Sequence, residues 1–125
     1  MIYGIGVDIV RIGRIKKAID RWGDRFLKKV YTEEEIKFCK SRPRPINAFA
    51  LRFAAKEAFS KAIGLGMKKG VRWKDIEVFH HPTGRPDLRL YGRCKEICEE
   101  NRIRNVQISL SDEGEYGIAF IILER

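Results

Sequence analysis

Two short stretches hold acids and amines whose spacing could do chemistry. In "LRFAAKEAFSKAIGLG" (51–66), Glu57 and Lys61 stand one helical turn apart, and so do Arg52 and Lys56. An acid four residues before a base is the favourable order for an exposed helical ion pair, worth about 0.2–0.5 kcal/mol. On that reading the pair is a solvated salt bridge on an amphipathic helix. Glu57 also adjoins Ala58, at the edge of an apolar stripe, where it can point along a packing seam. In "GIGVDIV" (4–10), Asp8 interrupts an otherwise apolar run. A carboxylate in such a place is unfavourable unless it is paired or binds a metal. If the two segments pack together, Asp8 and Glu57 meet. Close carboxylates repel, which raises the pKa of one, and a divalent cation removes the conflict. Few ligands, all of them oxygen, suit Mg²⁺, which keeps waters and completes its shell from substrate phosphate. Lys61 would reach the same phosphate. Spacing therefore offers two readings. One is a surface ion pair. The other is a catalytic group of Asp8, Glu57 and Lys61, with Asp8 and Glu57 as metal ligands.

The elements that must position these residues follow from periodicity. Residues 2–10 are apolar and β-branched, which predicts a first strand. Ile12, Ile15, Ile19, Trp22 and Phe26 recur at spacings of 3, 4, 3 and 4, a helical stripe that Gly23 interrupts. "TEEEIKFCK" opens on Thr32 with Glu35 three residues on, a capping box, and predicts a short helix over 33–40. "SRPRP" ends it, because proline cannot continue a helix. A longer helix is expected over 46–63, ended by Gly64 and Gly66. Its buried stripe is Ala54, Ala55, Ala58, Phe59, Ala62 and Ile63. Residues 75–81 read as a strand, 82–86 as a turn, 87–91 as a strand and 92–102 as a helix. Residues 106–112 and 116–124 read as a closing β-hairpin. The order β, helices, β, β, α, β, β favours α+β over a doubly wound α/β sheet. The expectation is one compact domain over residues 1–125 with an antiparallel sheet, a long central helix and a C-terminal β-hairpin.

The chain has 125 residues, 44% of them hydrophobic, enough for one core. No run of 18 apolar residues occurs, so no transmembrane helix is expected. The N-terminus lacks a basic region and a cleavage site, which argues for a strand and against a signal peptide. Lys and Arg outnumber Asp and Glu by 26 to 17, a net charge of +9. Such a surface attracts polyanions of several kinds. The three cysteines, Cys39, Cys94 and Cys98, form no C-x-x-C pair. They argue against a disulfide framework or a zinc site and fit a reducing cytoplasm. His80 and His81 are adjacent and would face opposite sides of a strand, which disfavours a two-histidine metal site.

"GIGVDIV" and "RFAAKEAFSKAIG" together resemble the two signature motifs of the holo-acyl-carrier-protein synthases, the short 4′-phosphopantetheinyl transferases. "YTEEE", "TGRP" and "SLSDEGEYGIAFIILE" fall in the order of that family, so the likeness covers nearly the whole chain. The resemblance implies transfer of the phosphopantetheine arm of coenzyme A to a serine of apo-acyl carrier protein, with release of adenosine 3′,5′-bisphosphate. It implies that Asp8 and Glu57 hold Mg²⁺ and that Lys61 contacts phosphate and compensates charge in the transition state. Phosphoryl transfer relies on positioning and charge neutralisation, and here the nucleophilic serine belongs to the partner. Arg52 either reaches a coenzyme A phosphate or makes a structural ion pair. Gly84, Arg85 and Pro86 resemble the loop that lines the nucleotide, or form an ordinary turn. Many family members carry histidine where this chain has Asp112, which would accept a hydrogen bond instead of facing a phosphate. The resemblance also implies a trimer with its active sites between subunits, so that Asp8 and Glu57 would meet across an interface.

Arg14, Lys17, Arg21, Arg25 and Lys28 recur opposite the first helical stripe. They are either a solvated face or, as the resemblance implies, the dock for an acidic carrier-protein helix. The rival from another class is a basic nucleic-acid-binding module without catalysis. Charge supports it, but no aromatic residues interleave with the basic ones as a stacking platform requires. A third reading is a catalytically inactive trimer of the same fold. The expectation is no nucleic acid and no membrane.

Overall fold

The computed structural model describes all of residues 1–125. The chain runs β1 (Ile2–Arg11), α1 (Ile12–Trp22), α2 (Asp24–Val30), α3 (Glu33–Lys40) and α4 (Pro45–Ala62). A 3₁₀ turn at Trp73–Asp75 leads into β2 (Ile76–His80) and β3 (Pro86–Leu90). Then come α5 (Gly92–Glu100), β4 (Asn105–Glu113) and β5 (Tyr116–Glu124). The α+β expectation holds, with the strands divided between two antiparallel sheets. One has the order β1-β5-β4 and the other pairs β2 with β3. No helix is long and apolar enough to cross a membrane.

Helix α4 is the axis of the molecule. It packs across β1 and β5, and it also meets α1, α3, β2 and β4. The sequence suggested one buried stripe on an amphipathic helix. The structure instead buries Phe49, Ala50, Phe53, Ala54, Ala55, Ala58, Phe59 and Ala62, together with Arg52, Lys56 and Ser60. Neighbours on most sides cover a helix of this kind. Alanine lets them come near. The glycines of β1 carry this furthest: a Cβ at Gly6 would collide with the Ala58 carbonyl oxygen, and one at Gly4 with that of Ala62. The strand backbone thus lies directly on the helix backbone. Asp8, two residues beyond Gly6, is delivered to the helix face that carries Glu57 and Lys61.

The helical stripe of residues 12–26 divides in two. Gly23 adopts a positive φ of 54° and joins α1 to α2. Ile12 and Ile15 enter the core, while Trp22 remains 47% exposed. The capping box is present, with Thr32 accepting from the Glu35 amide and Glu35 from the Thr32 amide. All three cysteines are buried thiols.

The sheet β1-β5-β4 has one covered face and one open face. Val10, Ala119, Ile121 and Leu123 are buried against the helices. On the other side Ile5, Val7, Ile9, Ile118 and Phe120 are exposed. Val7 lies opposite Phe120 and Ile9 opposite Ile118, so the open face is a continuous apolar ladder. A patch of this size on a soluble domain marks an interaction site.

Candidate active site

One chain is enough to bring the two carboxylates together. Asp8 projects from β1 towards α4, and Lys61 Nζ meets Asp8 Oδ1 at 3.0 Å. The same ammonium donates to the Val7 carbonyl, also at 3.0 Å. Lys61 is thus paired with Asp8 and not with Glu57, against the simple i, i+4 reading. Glu57 sits half-buried beside them. Burial is the main cause that raises its pKa, and the charge of Asp8 raises it further. Lys61, the Trp73 indole and Arg14 act in the opposite direction without cancelling the shift. The expectation that Asp8 and Glu57 meet across a subunit boundary is therefore unnecessary, because β1 and α4 of one chain juxtapose them.

A buried ionic network holds this part of α4 in place. Lys56, next to Glu57 in sequence, is 0% exposed. Its ammonium meets Glu35 Oε1 at 2.7 Å and donates to the carbonyls of Trp73 and Ile76. The other Glu35 oxygen accepts from the Val78 amide at 2.9 Å. A buried charge survives only when paired and hydrogen-bonded, and here every donor position of the ammonium is satisfied. Glu35 thereby serves both as the capping residue of α3 and as the counter-ion of α4. Thr32 Oγ1 donates to Glu77, which also accepts from Tyr91 and Arg89. Burial alone would raise the pKa of Glu77, but these three donors outweigh it and lower the value.

Arg52 lies elsewhere on α4, about 140° around the axis from Glu57 at 3.6 residues per turn. It is buried but has no carboxylate partner. Its guanidinium stacks 4.2 Å from the Phe38 ring centroid, one nitrogen lies 3.3 Å from His80 Nδ1, and Nε has no hydrogen-bond partner. Of the two roles open to Arg52 in the sequence, the structural ion pair is absent. The guanidinium instead borders a cavity of about 580 Å³, lined also by Arg42, His80, Gly84, Pro86 and Leu110. The lining contains no acidic side chain. Burial, then the charges of Arg52 and Arg42, lower the pKa of His80. This is a cavity shaped electrostatically for an anion.

The turn between β2 and β3 splits its three candidate residues. Gly84, at φ 89°, and Pro86 face this cavity. Arg85 turns away and donates to Gln107 at 2.8 Å, so the structure does not bring it to Arg52. Asp112 accepts a hydrogen bond from Asn47 at 2.8 Å. Arg14, Lys17, Arg21, Arg25 and Lys28 are all exposed. Of these, Arg14 alone is close enough to Glu57 to affect its titration. Arg21 and Arg25 flank the exposed Trp22 ring, at 4.9 and 5.8 Å from its centroid. Lys56, Trp73, Arg42 and His80 were not nominated from the sequence for these roles. Their partners lie on elements distant in the chain, and only the position of Lys56 inside the Ala-rich motif gave any signal.

The donor set around Asp8 and Glu57 fits a hard divalent cation. Both groups are carboxylates, Lys61 offsets their mutual repulsion only in part, and no third His, Cys, Asp or Glu joins them. A small site of oxygen ligands leaves room for water and phosphate in the coordination shell, as Mg²⁺ prefers.

Comparison with known proteins places the whole chain in one family. A family model described as the 4′-phosphopantetheinyl transferase superfamily matches residues 4–121. The chain is 45% identical to the holo-[acyl-carrier-protein] synthase of Koribacter versatilis, over 99% of both chains. The crystal structure of the synthase from Neisseria meningitidis superposes with a TM-score of 0.92 at 39% identity, covering 100% of each chain. That of the Helicobacter pylori synthase in complex with coenzyme A gives 0.85 at 32% identity, over 96% of this chain and 99% of that one.

Proposed function

Because the chain belongs to the 4′-phosphopantetheinyl transferase superfamily, we propose that Asp8, Glu57 and Lys61 are its catalytic group, with Mg²⁺ as cofactor. The chain is a transferase that moves the 4′-phosphopantetheine group of coenzyme A to a serine of apo-acyl carrier protein. The serine oxygen attacks the phosphorus that bears the pantetheine arm, and its proton passes to Glu57 or to water. The bond from that phosphorus to the bridging oxygen breaks, and adenosine 3′,5′-bisphosphate leaves. Mg²⁺ bound by Asp8 and Glu57 would neutralise the diphosphate and the charge that grows on the leaving oxygen. Lys61, 55% exposed and paired with Asp8, would add a second positive charge there. Arg52, with Gly84 and Pro86, lines the cavity for a phosphate of the nucleotide end, and Arg85 closes the loop from the other side.

The observation that carries this reading is the pairing of Asp8 with Lys61 beside a Glu57 whose ionised form is disfavoured. With both acids ionised, Asp8, Glu57 and Lys61 carry one excess negative charge, which a divalent cation would offset. The anion cavity and this cluster lie on different sides of α4. A homotrimer joined through the apolar ladder of Val7, Ile9, Ile118 and Phe120 would allow the Arg52 cavity of one subunit to adjoin the Asp8 cluster of a neighbour. The face formed by Arg14, Lys17, Arg21, Arg25 and Lys28 suits an acidic carrier protein. Reduced cysteines and an acyl-carrier substrate fit a cytoplasmic enzyme of fatty acid biosynthesis. Mass spectrometry of apo-acyl carrier protein incubated with this protein, coenzyme A and Mg²⁺ tests the proposal. The expected result is one phosphopantetheine arm per carrier, abolished by chelator. No mass gain at any metal concentration rejects it.

A further inference from the structure

We propose that the indole N–H of Trp73 is a positioning donor for the Glu57 carboxylate, aiming its oxygens at Asp8; the role rests on the reading of Glu57 as a metal-binding catalytic group. Trp73 lies in the 3₁₀ turn that precedes β2, sixteen residues from Glu57 in sequence. The main chain and the ring are each anchored. The Trp73 carbonyl accepts from the buried Lys56 ammonium at 2.9 Å. The ring stacks on Phe53 of α4, with centroids 6.3 Å apart and planes 23° apart. The Lys29 ammonium sits on the ring, 5.8 Å from its centroid. The indole therefore has little freedom to turn.

Its Nε1 is nevertheless buried without a hydrogen-bond partner. A buried donor left unsatisfied costs about 1–3 kcal/mol, and native folds rarely leave one without a role. The ring stacks on Phe53, and Glu57 follows Phe53 by one turn on the same face of α4, so Glu57 is the acidic group on the side of the helix that Trp73 covers. Lys56 and Glu57 are consecutive, so α4 grips Trp73 at its carbonyl with one residue and presents a carboxylate to its N–H with the next. A hydrogen bond between the two would fix the Glu57 carboxylate on the side of α4 that meets Asp8. In the metal-free chain Asp8 repels Glu57, and an aligned Trp73 N–H would hold it against that repulsion. Trp73 touches no reacting atom in this account; it acts through Glu57.

Trp73→Phe removes the N–H and keeps the aromatic stack. The expected result is a Mg²⁺ requirement raised by about tenfold, as for loss of one hydrogen bond to a charged group. The Mg²⁺ affinity measured by calorimetry should fall by a similar factor, with the KM for coenzyme A within twofold and the thermal midpoint little changed. A second measurement needs neither metal nor activity. In ¹H–¹⁵N spectra of the metal-free protein, the Trp73 indole resonance, assigned with Trp22→Phe, should shift in Glu57→Gln. An indole resonance that ignores Glu57→Gln overturns the proposal, and so does a Mg²⁺ affinity unchanged within twofold in Trp73→Phe. Loss of the transfer reading itself would appear separately, as an unmodified carrier protein despite an intact indole response.

Discussion

Lys61 pairs with Asp8, and this leads to a prediction opposite in sign to the usual one for a catalytic lysine. The ammonium lies 3.0 Å from Asp8 Oδ1 and also donates to the Val7 carbonyl. A divalent cation that binds Asp8 must displace this ammonium or share the oxygen with it. Two unit charges at this distance interact by about 1.4 kcal/mol in a medium as polar as water. The Lys61 side chain is 55% exposed, though Asp8 is only 16% exposed, and pairs of this kind retain about 0.2–1 kcal/mol. Near the upper end of that range, Lys61→Met should tighten binding of bare Mg²⁺ or Mn²⁺ about fivefold. With coenzyme A present the same change should lower kcat, because the diphosphate loses a cation that compensates its charge. Manganese binding followed by electron paramagnetic resonance, without and then with coenzyme A, separates the two effects. Weaker binding of the bare ion in Lys61→Met would show that Lys61 organises the acidic pair instead of competing for it, and would refute the reasoning.

Three further outcomes follow from other parts of the molecule. The pKa of Glu57 is raised in the fold, so the folded chain holds this proton more tightly than the unfolded chain does. The associated stability is complete below about pH 4.5, its ordinary value, and is lost as pH rises through the raised one. Glu57→Gln should therefore abolish transfer yet raise the thermal midpoint of the metal-free protein at neutral pH; a lower midpoint there would contradict the shift. Lys56→Met leaves Glu35 as an uncompensated buried charge, a change that costs about 3–5 kcal/mol. In a chain of this length that should lower the thermal midpoint by about 10 °C or more, with partial recovery in the Lys56→Met/Glu35→Gln double variant. Charge reversal at Arg14 or Arg21 should raise the KM for carrier protein and weaken its salt dependence, since rim charges act mainly on encounter. An unchanged KM for both removes this helix from the docking face.

The sequence made the frame of the site legible because that frame is local. The capping box of Thr32 and Glu35, the stop after Lys40 and the final hairpin all rest on residues a few positions apart, and each is found. Asp8 and Glu57 were singled out because a carboxylate in an apolar run needs a partner. What the sequence left unread was long-range. Trp22 fits the helical stripe of Ile12, Ile15 and Ile19, but the break at Gly23 redirects the chain and leaves the ring outside. Lys56 looks like one more solvated lysine of α4, because its counter-ion lies in α3 and its two carbonyl partners lie beyond the helix, 17 and 20 residues on. Periodicity within one helix cannot reveal that the helix is enclosed on most of its sides. Arg52 was ambiguous for the same reason. Only the approach of Phe38, His80 and the turn at Gly84 turns it from an ion-pair candidate into the wall of an anion cavity.

The missing side chains at Gly4 and Gly6 explain how two charged groups come to share a helix face that is otherwise alanine. A strand normally stands a full side-chain layer away from the helix it covers. Here the backbones touch, since even a methyl group at Gly6 would strike the carbonyl of Ala58. The short Asp8 side chain can then reach Lys61 at the surface of α4, which it could not do across an ordinary layer. The far face of β1 is left without cover, because α4, the helix that packs on this strand, lies on the near one. Ile5, Val7 and Ile9 stand exposed there, paired with Ile118 and Phe120 of β5. The residues that place Asp8 in the site therefore belong to the strand that most needs another subunit. A substitution as small as Gly6→Ala would be felt at both, lifting Asp8 from Glu57 and tilting the apolar ladder.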